Sequence, residues 1–114
     1  MKHLSKEQYI QLKRKEACQI IGEMLNGSIC YLSGSIMLSS LMFEIDVPED
    51  DTDFLVFVAI ASETDNLPNG EVRKNWSKTA LYRLEPEIQK ATKWAKDISV
   101  NNCESIIARF CKKT

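Results

Sequence analysis

Much of what catalysis uses is missing from this chain. It has one histidine in 114 residues, His3. A serine nucleophile needs a base beside it, and His3 sits too near the N-terminus to provide one, which removes Ser-His hydrolysis. No G-x-x-x-x-G-K-[ST] or G-x-G-x-x-G is present, so the usual cradles for nucleotide phosphates are absent. No apolar run approaches the ~20 residues of a membrane-spanning helix. Behind Lys2 and Lys6 there is no apolar stretch, so the start does not read as a signal peptide and a cytoplasmic chain is expected.

Cys18, Cys30, Cys103 and Cys111 contain no C-x-x-C pair. A zinc site needs four ligands at workable spacing, and His3 is the only imidazole. Cys103 and Cys111 are eight apart, which on a helix puts their Cα atoms ~12 Å from each other, too far for a disulfide. All four are therefore expected to be reduced, mostly buried small hydrophobes. No metal and no cofactor is expected.

The most informative gap is in positive charge. From Glu16 to Val72 there is no Lys or Arg and there are eleven carboxylates. Residues 1–15 carry +4 and residues 73–114 carry +6, so the net charge of -1 hides a strongly acidic middle. Unless the fold cancels it, this segment makes a negative surface that attracts cationic partners and repels nucleic acid.

What is present is one domain's worth of helix. A hydrophobic content of 44% with 27% charged residues is that of a soluble globular chain, and this length buries a core without staples. Ser5 and Gln8 have capping-box spacing, and Tyr9, Leu12, Ala17, Ile20, Ile21, Met24 and Leu25 recur on one face, predicting a helix over 5–26 stopped at Asn26-Gly27. Residues 28–43 carry no charge and predict a buried helix, with Ile29, Leu32, Ile36, Leu38, Leu41 and Met42 inward. Gly34 and serines 33, 35, 39 and 40 would allow a close neighbour. Pro48 sits in a linker.

Phe54–Ala61 fits a buried strand by propensity. Asp50 or Asp51 as a cap, acids in the first turn, and Phe54, Phe57 and Ile60 on one face favour a helix over 51–63. Thr64–Gly70 reads as a loop. Ser77 is a cap for a short helix, and Pro86 fits the first turn of a last helix over 86–111, with a weak point at Val100-Asn101-Asn102. The fold class is all-α: a single-domain bundle of four to five helices spanning 1–114.

The clustered carboxylates do not make an EF-hand, which needs Gly at position six and Glu at twelve. Counted from Asp46 those places hold Asp51 and Phe57, and from Asp51 they hold Val56 and Ser62. The bland alternative is a solvated helix start; the functional one is a docking surface for a basic partner. The Ser62-Glu63-Thr64-Asp65 run is expected to be a structural lock, with Glu63 or Asp65 paired to Arg73. Trp76, Tyr82 and Trp94 lie among Lys74, Lys78, Arg83, Lys90 and Lys93, the makings of a single-strand stacking surface. The simpler expectation is that these aromatics cover the core edge, so no nucleic acid and no membrane partner is expected.

The pattern Leu38-x-x-Leu41, then Asp53-Phe54-Leu55-x-Phe57-Val58-x-Ile60-x-Ser62-Glu63-Thr64-Asp65-x-Leu67-Pro68-x-Gly70-x-Val72-Arg73-x-x-Trp76, resembles the core of a family of small bacterial proteins of unknown function. It spans about residues 38–90 and brings no catalytic residues with it. Small orphan domains of this kind often accompany secreted toxin systems as immunity proteins. The resemblance implies a non-enzymatic inhibitor that occludes the active site of a basic toxin domain, such as a nuclease in contact-dependent growth inhibition. Glu49, Asp50, Asp51, Asp53, Glu63 and Asp65 are the expected partner contacts. Two other classes fit the residues: a small carboxylate- and metal-dependent enzyme, and a regulatory adaptor whose acidic middle packs against its own basic ends.

Overall fold

A computed structural model describes residues 5–67 and 77–111. Among them the chain is all-helical: α1 (Lys6–Leu25), α2 (Tyr31–Leu41), α3 (Thr52–Glu63) and α4 (Lys78–Ile106). A 3-10 turn, Met42–Glu44, extends α2, and a π turn, Ile107–Cys111, follows α4. The chain forms a single helical domain.

Local chemistry sets the ends of α1. Ser5 Oγ accepts from Gln8 N at 3.1 Å, and Ser5 N donates to Gln8 Oε1 at 3.0 Å, a complete capping box. At the other end Gly27 takes φ +87°, Gly27 N donates to Met24 O, and Ser28 N donates to Glu23 O at 2.8 Å. That is a Schellman closure, and only glycine enters it without cost. The amides of Ser28 and Ile29 both bond back to Glu23 O. Cys30, extended at φ -62° and ψ 140°, is the N-cap that follows, so α2 begins at Tyr31 and not at residue 28.

α2 lies chiefly against α3, α3 against α4, and α1 against both α2 and the C-terminal turn. Gly34 sets the α1–α2 approach. A Cβ built there would fall 2.7 Å from Met24 Cγ, so the small residue expected to permit a close neighbour does so. Ser35 Oγ donates to Tyr31 O at 2.6 Å, so a buried hydroxyl is satisfied within its own helix. Ile36 does not face inward as expected; it is 40% exposed, because Leu32, Ser35 and Leu38 take the buried side.

Phe54–Ala61 is helix. Phe54, Phe57 and Ile60 are each 0% exposed and form the centre of the core with Ile21, Met24, Leu32, Leu38, Ile45 and Ile106. Each such side chain gains roughly 1.5–3 kcal/mol from burial, so three on one short helix outweigh the strand propensity of Val and Phe.

The last helix differs from expectation at its start. Pro86 does not open it; the helix begins at Ser77, whose Oγ accepts from Ala80 N at 3.1 Å, and runs through Pro86. Pro86 lies on the exposed side, so the carbonyl one turn back, left without its amide, is where water can reach it. The helix is also unbroken at Val100-Asn101-Asn102; its regularity changes only at Ile107. Tyr82, expected at the core edge, is 83% exposed, and Trp94 is 38% exposed. Trp76 and Lys74 lie outside the described residues, as does the Arg73 end of the expected polar lock.

The cysteine expectation fails in two places. Cys18 and Cys111 form a disulfide with Cα atoms 5.7 Å apart, and Cys30 is exposed; Cys103 alone is a buried free thiol. The distance bound on Cys103 and Cys111 stands, but the bonded partner of Cys111 comes from the other end of the chain, where the C-terminal turn returns onto α1.

The acidic N-terminus of α3 as candidate functional site

Asp51 is the N-cap of α3, and its Oδ1 accepts from Asp53 N at 3.0 Å. The preceding chain turns tightly: Asp46 sits at φ +59°, and Asp51 N donates to Pro48 O at 3.0 Å. These turns bring Asp51 and Asp53 beside the end of α4. There Arg109 Nη2 donates to Asp51 Oδ2 at 2.7 Å, and Nη1 donates to Asp51 Oδ1 at 3.0 Å and to Asp53 Oδ2 at 2.9 Å. Ser105 Oγ donates to Asp53 Oδ2 at 2.7 Å, and Asn102 Nδ2 donates to Asp53 Oδ1 at 3.1 Å.

Every carboxylate oxygen of this pair thus accepts from the protein. The Asp51 side chain is 7% exposed and that of Asp53 16%. The Arg109 guanidinium holds the Asp51 carboxyl below the usual carboxylate range, helped by the amides of Asp53 and Phe54 and opposed by burial. The same pairing raises Arg109. Beside it the Phe110 ring lies between two guanidinium groups, with Arg14 Cζ at 4.8 Å and Arg109 Cζ at 4.7 Å from its centroid, and it meets Phe54 at 6.4 Å.

The six carboxylates singled out from the sequence therefore divide. Asp51 and Asp53 are in the frame of the site, with their acceptor capacity used internally. Glu49, Asp50, Glu63 and Asp65 are exposed. Thr64, between the last two, is 3% exposed and donates its hydroxyl to Ile60 O at 2.7 Å, while Thr64 O accepts from Leu67 N. It closes the turn that follows α3. Glu63 lines a groove of about 360 Å³ with Leu67, Glu87, Lys90 and Trp94.

The chemistry open to the Asp51–Asp53 pair is narrow. A carboxylate held ionised by a guanidinium is a poor general base and no acid near neutral pH. Among the described residues no three His, Cys, Asp or Glu side chains converge as a metal site. No described helix is long and apolar enough to cross a membrane. Sequence reasoning missed Arg109, Asn102 and Ser105. Their signal was available: three polar residues at steps of three and four, a stripe along one side of an otherwise apolar-faced helix. No family model, no curated protein and no solved structure matches the chain.

Proposed function

We propose that the protein is an immunity protein that binds a cationic toxin domain, such as a nuclease, and occludes its active site without chemistry of its own. The carrying observation is the solvent side of α3. Leu55, Ala59 and Ser62 form an uncharged exposed stripe, bounded by Glu49 and Asp50 before the helix and by Glu63 and Asp65 at its end. Negative charge at a helix C-terminus opposes the helix dipole, so Glu63 and Asp65 do not serve the stability of α3. An apolar strip with charged borders suits an interface with a partner of opposite charge. The Leu38–Trp76 pattern resembles a family of small bacterial proteins of unknown function, and small orphan domains of that kind often accompany toxin systems, which supports the same role in the cytoplasm of the producing cell.

Docking falls to Glu49, Asp50, Glu63 and Asp65, with Asp51 and Asp53 holding the end of the helix. The test is whether the neighbouring reading frame encodes a secreted protein, and whether the C-terminal domain of that protein associates with this chain, followed by stopped flow. Glu49→Lys with Asp50→Lys should slow association by about tenfold at low salt, with the difference shrinking at high salt. Unchanged association at low salt would count against this surface. One observation favours a second reading, a regulatory adaptor neutralised by its own basic end: Arg109 already pairs with Asp51 and Asp53. Absence of any complex with that toxin domain would favour it.

A further inference from the structure

We infer that the Cys18–Cys111 bond is a redox latch that holds Arg109 over Asp51 and Asp53, so that reducing it uncovers this carboxylate pair. Cys111 ends the π turn that carries Arg109 and Phe110, and the bond ties that turn to the middle of α1. Ile107 and Phe110 of the turn pack on the edge of the core but no residue of the turn is fully buried, whereas α1, α2, α3 and α4 all contribute buried residues to it. Losing the tie therefore leaves the turn held only by edge contacts and the buried centre of the core filled. Both bonded cysteines are half-buried, within reach of a small reductant. The Arg109 side chain is 36% exposed, so water competes for its ion pair once the tether is gone.

The chemistry is thiol–disulfide exchange with a dithiol. One thiolate of the dithiol attacks a protein sulfur, the S–S bond breaks, and the other protein sulfur leaves as a thiolate that takes up a proton. The second thiolate of the reductant then displaces the first protein sulfur, which is also protonated, and the reductant departs as a disulfide. The protein gains two electrons and two protons, and the dithiol loses the same. A reducing compartment opens the latch and an oxidising one closes it. This holds whether or not the acidic face docks a partner.

Carbodiimide labelling of carboxylates in the full chain, read by peptide mass spectrometry with and without dithiothreitol, tests it. Glu49 and Asp50 are exposed references that label in both states. Labelling of Asp51 and Asp53 should rise about tenfold on reduction, the scale set by losing charge-assisted contacts. Cys18→Ser should give the same rise without reductant, and Arg109→Ala should give it with the bond intact. Iodoacetamide reports on the fold in the same samples. Cys30 is exposed and should react throughout, and Cys103, with 0% exposure, should stay unreacted after reduction. Persistent protection of Asp51 and Asp53 after full reduction overturns the latch. Alkylation of Cys103 alongside the carboxylates also overturns it, because the bond would then be a staple of the whole fold. So does an oxidised protein in which Cys18 and Cys111 are already alkylated.

Discussion

The two ends of α3 carry similar charge and have opposite fates. At the N-terminal end Asp51 and Asp53 sit where the helix dipole is positive, cap its first turn, and are gripped by Arg109, Ser105 and Asn102. At the C-terminal end Glu63 and Asp65 sit where the dipole is negative and point to water around a buried Thr64. The first arrangement follows from stability alone. The second runs against it, which is why partner contact is sought there and beside Glu49 and Asp50. The difference shows that an acidic run is not one object: the position of each carboxylate on the helix decides whether it serves the fold.

The comparison depends on α3 being held as a rod, so the most severe way to break it is to remove its middle. Phe57→Ala should cost about 3–5 kcal/mol in denaturant unfolding, and both ends would lose their setting together. Next comes the N-terminal grip. Arg109→Ala uncovers Asp51 and Asp53 and leaves them unpaired, and should cost about 1–3 kcal/mol, less than for a sealed ion pair because Arg109 itself is partly in water. A loss under 0.5 kcal/mol would erase the distinction between the ends.

Acid sharpens the contrast further. Asp51 is depressed below its unfolded value of about 3.9, so its contribution is complete above that pH and is lost as pH falls through the folded value. Thermal unfolding of the wild type should therefore weaken steeply below about pH 4, and Asp51→Asn, which keeps a capping side chain, should show a shallower fall. The smallest effect is expected at the far end. Glu63→Gln with Asp65→Asn should change stability by no more than about 0.5 kcal/mol, in the stabilising direction if the dipole argument is right. A clear destabilisation would mean that these two acids also serve the fold.

The parts of this architecture that were legible in the sequence are those fixed by neighbours along the chain. Ser5 with Gln8, Asn26-Gly27, and Asp51 with its first-turn acid specify helix ends within a few residues, and the Phe54–Phe57–Ile60 spacing specifies a buried face. Pro86 misled because its usual place in a first turn is only a tendency, and the cap at Ser77 with an exposed Pro86 overrode it. Partners from the far end of the chain were not legible. Nothing local to Asp53 indicates that Asn102, Ser105 and Arg109 will meet it, and nothing local to Cys18 indicates Cys111. Those pairings exist because the C-terminal turn comes back onto α1 and onto the start of α3.

The Cys18–Cys111 bond has a mechanical consequence as well. It closes a covalent ring with a sequence separation of 93. Tension applied between the two chain ends passes from α1 through the sulfurs to the tail, and the helices inside the ring carry none of it. Stretching the oxidised protein would extend only what lies outside the ring. Reduction would add roughly 300 Å of contour at 3.3–3.6 Å per residue. A machine that unfolds by pulling on an end and threading a single strand would, with the bond intact, have to pass two strands at once.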